Sequence, residues 1–248
     1  MKRTMILIAV VLLLAMVLPM SAMAQAYSLA GTDVSLTVDD SVWYVFTRDN
    51  LVDNPELAEL GITAETINGI LLENDAYMDA IVFDENGNYT EMFVTKAPLD
   101  TELVNLSNYS RDEAMQFAQG AAEDKGDCQY DVYETAYKFA RLEYLDEAVA
   151  TYVVQYVTVV NKDAYNFLFQ SKIPFVEWDY QEMDKIMKSV IFAVDPLLKE
   201  PASLTGEASE GVGSYVGSAA AVAIVGGVGA LIRKKSKKKK AQQTQENQ

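Results

Sequence analysis

Apolar and polar positions along the chain alternate with two different periods, and each period predicts its own kind of element. A period of two runs through 29–38 and 42–47, predicting two strands turned at Asp39-Asp40-Ser41. Asn54-Pro55 then opens a short helix, and a second helix over 63–73 sets Ile67, Ile70 and Leu71 on one face. A hairpin over 77–83 and 89–95 follows, turned at Asn86-Gly87, because both residue types tolerate positive φ. Ser110 and Glu113 have the spacing of a capping box, and Ala114, Phe117, Ala118 and Ala121 form an apolar stripe behind it. Residues 128–140, 148–160 and 164–170 are rich in Tyr, Val and Phe and predict three long strands. A last helix over 178–193 turns Met183, Ile186, Met187 and Val190 inward and leaves Glu182, Asp184, Lys185 and Lys188 outside. The predicted order is ββ-αα-ββ-α-βββ-α. Short links between neighbouring strands make this an α+β domain, an antiparallel β-sheet flanked by helices.

The two ends of the chain follow neither period. Residues 1–24 carry Lys2 and Arg3, an uncharged apolar run from Met5 to Leu18, Pro19, and small residues at Ala22 and Ala24. This is the layout of a secretory signal peptide cleaved after Ala24, and its apolar run is shorter than a membrane crossing requires. Residues 212–232 form a second uncharged apolar run, directly followed by seven basic residues between Arg233 and Lys240. The expectation is one C-terminal transmembrane helix with a basic cytoplasmic tail at 233–248, preceded by a Pro-, Gly- and Ser-containing stalk at 195–211. The exported domain then spans 25–194. Gly213 and Gly217 form a GxxxG, a spacing that permits close helix approach in lipid and hence weak homo-oligomerisation; a run this rich in small residues also yields it by chance.

Composition removes whole classes of chemistry. The 248 residues contain no His and one Cys, which excludes Ser-His-Asp and Cys-His nucleophiles, His-held metals and an intrachain disulfide. The formal charge of −16 is unevenly spread: residues 25–232 hold 11 Lys or Arg against 35 Asp or Glu, while the last 16 residues are basic. A domain this acidic repels phosphate backbones, so nucleic acid is excluded as a partner and a neutral or basic one is expected.

Two stretches carry a family resemblance: Val34-Ser-Leu-Thr-Val38 leading to Trp43, and Ala164-Tyr-Asn-Phe-Leu-Phe-Gln170 followed by Asp184-Lys-Ile-Met-Lys-Ser-Val190. Between 27 and 194 the chain resembles the PsbP/Mog1-like fold family, including bacterial PsbP-like proteins. Asp39 and Asp40 stand where that family commonly has a Pro before the early Trp. The resemblance implies an antiparallel sheet between helices, used for binding or assembly, and it transfers no site residue to this chain.

Candidate chemistry is sparse. Glu91, Asp131, Glu134 and Glu177 are carboxylates available for acid–base work, but no spacing selects a pair, and solvated surface acids are the simpler reading. The turn from Asp84 to Asn88 carries calcium-type ligands without the Gly and Glu spacing of an EF-hand. Cys128 lies between Asp127 and Gln129, where a carboxylate raises the thiol pKa and makes a structural role the expectation. No catalytic, cofactor or metal residue is therefore expected. Tyrosines crowd the late strands, and Tyr133, Tyr137, Tyr152 and Tyr156 are candidates for a partner-binding face; strand propensity with half-buried packing is the alternative. The sequence thus predicts a single-pass, extracytoplasmic, non-catalytic binding or assembly module of a bacterial cell envelope with a protein partner. The other reading is a small-ligand or glycan-sensing ectodomain.

Overall fold

The structure is a computed structural model describing residues 24–52, 54–99 and 103–193. The segments read as signal peptide, stalk, transmembrane helix and tail, with Gly213 and Gly217, lie outside the described residues apart from Ala24. Among the described residues no helix is long and apolar enough to cross a membrane.

The strands are β1 Gln25–Ser28, β2 Val34–Val38, β3 Tyr44–Thr47, β4 Ala76–Phe83, β5 Tyr89–Pro98, β6 Gln129–Glu134, β7 Lys138–Asp146, β8 Thr151–Val160, β9 Asp163–Ser171 and β10 Ile191–Phe192. The helices are α1 Pro55–Leu60, α2 Ala64–Glu73, α3 Arg111–Ala122 and α4 Glu177–Lys188. Seven strands form one antiparallel sheet in the order β3-β4-β5-β9-β8-β7-β6, and β1-β2-β10 form a second, smaller one. The α+β class and the antiparallel pairing agree with the sequence reading.

Four expectations are corrected. The strand predicted over 29–38 is confined to Val34–Val38 and pairs with β1 before it, because Gly31 at φ +83° folds the chain back over 29–33 and the Leu29 amide bonds to the Val34 carbonyl. Three late strands become four: the predicted 128–140 strand breaks at Thr135–Tyr137, where the Thr135 amide donates to the Tyr137 carbonyl without any Gly, Pro or Asn. The last helix stops at Lys188, and the next residues form β10, which pairs with β2. Glu182 is buried, its carboxylate bonded to Lys185 at 2.5 Å.

Alternation along the strands gives the large sheet two apolar faces. One carries Ile81, Phe93, Leu142, Val153 and Leu168 and is covered by α1, α2 and α3 through Leu57, Ile67, Leu71, Phe117 and Ala118. The other carries Met92, Phe139, Tyr156, Phe167 and Phe169 and is covered by α4 through Met183, Ile186 and Met187, with the small sheet beside it. Capping fits the starts of the first three helices: Asn54 accepts from Glu56 N, Thr63 from Thr66 N, and Ser110 with Glu113 completes the predicted capping box.

Candidate functional site

The strongest candidate lies at one end of the large sheet, between the β4–β5 turn and the link from β9 to α4. That link, Ile173-Pro-Phe-Val-Glu, contains four apolar residues and leads directly to Trp178. Ile173, Val176 and Trp178 are 38%, 59% and 44% exposed, so three of the large exposed apolar side chains fall within six residues. With Val82 and Phe83 they line an open groove of about 420 Å³. Its wall is firm: Phe83 packs edge-on to Tyr44 at 6.2 Å and lies 6.1 Å from Tyr89.

Carboxylates rim the groove. Asp179 accepts from Thr90 Oγ1 at 2.9 Å and from the Val176 amide at 2.8 Å, which caps α4 and ties its first turn to β5. Asp84 accepts from the Asn86 and Asn88 amides and from Asn88 Nδ2, and these bonds, that of the Asn88 side chain foremost, hold its carboxyl below the usual range. The Asp84–Asn88 turn thus uses its calcium-like oxygens on its own backbone. Of its Asn-Gly pair only Gly87 takes positive φ.

Three of the four tyrosines proposed as a partner face pack within the protein. Tyr133 Oη donates to Asp184 of α4 at 2.8 Å, and its ring meets Tyr156 edge-on at 5.2 Å. Tyr156 is 4% exposed. Tyr137 Oη accepts from the Phe192 amide at 3.1 Å, and the two rings are 4.8 Å apart. Tyr152 is half-buried in β8 opposite Ser171. Burial, then the Asp184 hydrogen bond, pushes the Tyr133 hydroxyl well above its ordinary pKa, as expected of a phenol held neutral under a helix. Strand packing therefore accounts for Tyr133, Tyr137 and Tyr156, and together they do not make a free face.

The acids separate in the same way. Asp131 and Glu134 are exposed and both bind Arg111, at 2.9 and 3.0 Å, and Glu177 at the start of α4 accepts from Gln181. Glu91 departs from the surface reading: it is 0% exposed and accepts from Gln170 Nε2 at 2.9 Å, beneath the layer of α1–α3. Asp79 and Gln155 are buried on that same face. Cys128 is half-buried; burial, more than Asp127, raises its thiol pKa. Among the described residues no group of three or more Asp, Glu, Cys or His could hold a metal ion.

A second cavity, about 470 Å³, opens beside Asp124, Asp127, Asp146 and Glu147. Its one cation, Lys125, lies 5.4 Å over the Tyr144 ring, and burial lowers its pKa. The groove at Trp178 was absent from the sequence reading. Its signal was present, however: an apolar linker between a strand and a helix, where polar turn residues are the rule.

No family model matches the chain, nor does any curated protein. The chain is similar to the solution structure of cyanobacterial PsbP (CyanoP) from Synechocystis sp. PCC 6803, at 14% identity over 69% of this chain and 93% of that one, with a TM-score of 0.35. It is also similar to a crystal structure of a protein from Bacteroides thetaiotaomicron VPI-5482, at 9% identity over 64% of this chain and 44% of that one, with a TM-score of 0.32.

Proposed function

We propose that this protein is a non-catalytic binding or assembly module, exported by residues 1–24, anchored by residues 212–232, and displayed outside the membrane of a bacterial cell. The observation that carries the reading is the exposed apolar cluster of Ile173, Val176 and Trp178 gathered on one groove. Isolated apolar residues on a surface need no explanation, whereas a contiguous set around an open concavity marks a contact site. Among the described residues no thiol lines the groove, and its carboxylates form no group that could hold a metal ion.

The test places a photo-crosslinking amino acid at position 178 of the full-length protein in its own membrane, with position 72, an exposed leucine elsewhere, as control. A discrete crosslinked partner from 178 and none from 72 is the expected result. Equal labelling at both positions, or turnover of a substrate by the purified protein, would sink the reading. A small-ligand site is the second reading, favoured by the groove's volume, which falls within the range of small-molecule pockets. It predicts no protein crosslink but protection of Trp178 by the ligand.

A further inference from the structure

Resting on that reading, we infer that the groove takes a short peptide segment in which a large apolar side chain is flanked by Lys or Arg. Charge is the first argument. Asp84, Glu85 and Asp179 line the groove, Glu177 stands beside it, and no Lys or Arg is among its lining residues. The nearest cation along the chain, Lys172, is turned away, its ammonium bonded to the Val149 carbonyl and Thr151 Oγ1 at 2.6 Å each. The start of α4 also faces this end, and a helix N-terminus carries about half a positive charge. Two carboxylates in its first turn, Glu177 and Asp179, outweigh that, so the local field favours a cation.

The side chains left uncommitted point the same way. Asp84 and Asp179 already hold fixed hydrogen bonds, whereas Glu85 is exposed and makes no hydrogen bond or ion pair with the described residues. The two tryptophans contrast similarly: Trp43 is enclosed in the core, whereas Trp178 is exposed and has no ring partner among the described residues. An open indole beside carboxylates offers apolar area and a π-face to an ammonium or guanidinium. Anionic headgroups and phosphorylated glycans are disfavoured by the same field. Val82, Phe83, Ile173 and Val176 provide the contact for the apolar side chain.

The experiment follows Trp178 fluorescence in the full-length, detergent-solubilised protein, with Trp178→Phe assigning the signal against buried Trp43. Three synthetic peptides are titrated: Gly-Lys-Leu-Phe-Lys-Gly, the same peptide with Glu for both Lys, and one with Ser for both Leu and Phe. The expected result is a saturable shift with the first peptide only, about tenfold weaker at 0.5 M than at 0.05 M salt. Glu85→Gln and Glu177→Gln, both exposed and outside the core, each weaken it about threefold or more. Equal binding of the acidic peptide overturns the charge inference and leaves the groove as a contact site. No shift with any peptide at millimolar concentration overturns the peptide inference, while crosslinking from position 178 judges the broader reading separately.

Discussion

Helices α3 and α4 cover opposite faces of the large sheet and are held there by different means. α3 buries Ala114, Phe117, Ala118, Ala121 and Ala122, a row of small side chains around one ring, and its link to the strand edge is the exposed Arg111 with Asp131 and Glu134. α4 buries Met183, Ile186 and Met187, and is also bonded side chain by side chain to the strands beneath it. Asp179 binds Thr90 of β5, Tyr180 binds Glu143 of β7, and Asp184 binds Tyr133 of β6; Ser189, just past the helix, binds the backbone of Thr37 in β2. Apolar contact is non-directional, whereas a set of hydrogen bonds fixes one register and orientation. The helix whose first turn borders the groove is thus the one whose placement is specified atom by atom.

The comparison can be broken most severely on the α3 side. Phe117→Ala removes the largest side chain that α3 buries and is expected to cost about 4 kcal/mol, read as a shift of the denaturant midpoint. Beneath the same layer, Gln170→Leu deprives buried Glu91 of its amide donor and is expected to cost about 2 kcal/mol in that unfolding experiment.

On the α4 side the expected effects are smaller and depend on pH. Tyr133→Phe deletes one hydrogen bond to a carboxylate, about 1 kcal/mol near neutrality. Burial alone would raise the Asp184 pKa, but the bonds from Lys188 and Tyr133 more than offset this and hold it below the ordinary value. A depressed carboxylate contributes stability that is complete above the unfolded pKa, about 4, and is lost as pH falls through the folded value. Tyr133 is raised, so its contribution is complete below its unfolded pKa of about 10 and is lost above the folded one. The gap between wild type and Tyr133→Phe, measured by thermal melts across pH, is therefore expected to be flat from about 5 to 9 and to shrink outside that window. Smallest in stability is Trp178→Ala, within about 0.5 kcal/mol of wild type by melting because the ring is exposed, yet it is expected to weaken binding of Gly-Lys-Leu-Phe-Lys-Gly, read by calorimetry, about tenfold.

The sequence made α3 more legible than α4. Ser110 and Glu113 announce a helix start, the alanines behind them declare one face, and the structure keeps both. In α4 the apolar stripe is equally plain, but Glu182 is buried and the helix ends early, because Ile191 and Phe192 pair with β2 some 150 residues away. Local period cannot register a partner that distant. The turn at Thr135–Tyr137 was missed for the opposite reason: it is local but lacks the usual turn residues, and only the pairing of β6 with β7 fixes it. The tyrosines show the limit on function. Composition reveals that Tyr133, Tyr137 and Tyr156 are many and close, but whether such rings meet a partner or the protein's own helix depends on which layer covers them.

Strand β10 is two residues long, and it is the last element before the chain leaves the described domain. The Phe192 ring sits 4.8 Å from both Tyr137 and Tyr165, its amide donates to Tyr137 Oη, and the Ala193 amide donates to the Asp33 carbonyl at 2.7 Å. Mechanically, this is a latch. A pull applied beyond Ala193 would load the Phe192 clasp and the short β2 pairing first, and would reach the groove only after passing the full length of α4, which is bonded to three strands of the large sheet. Strain entering at that end would be spent on two residues of pairing before it moved Trp178.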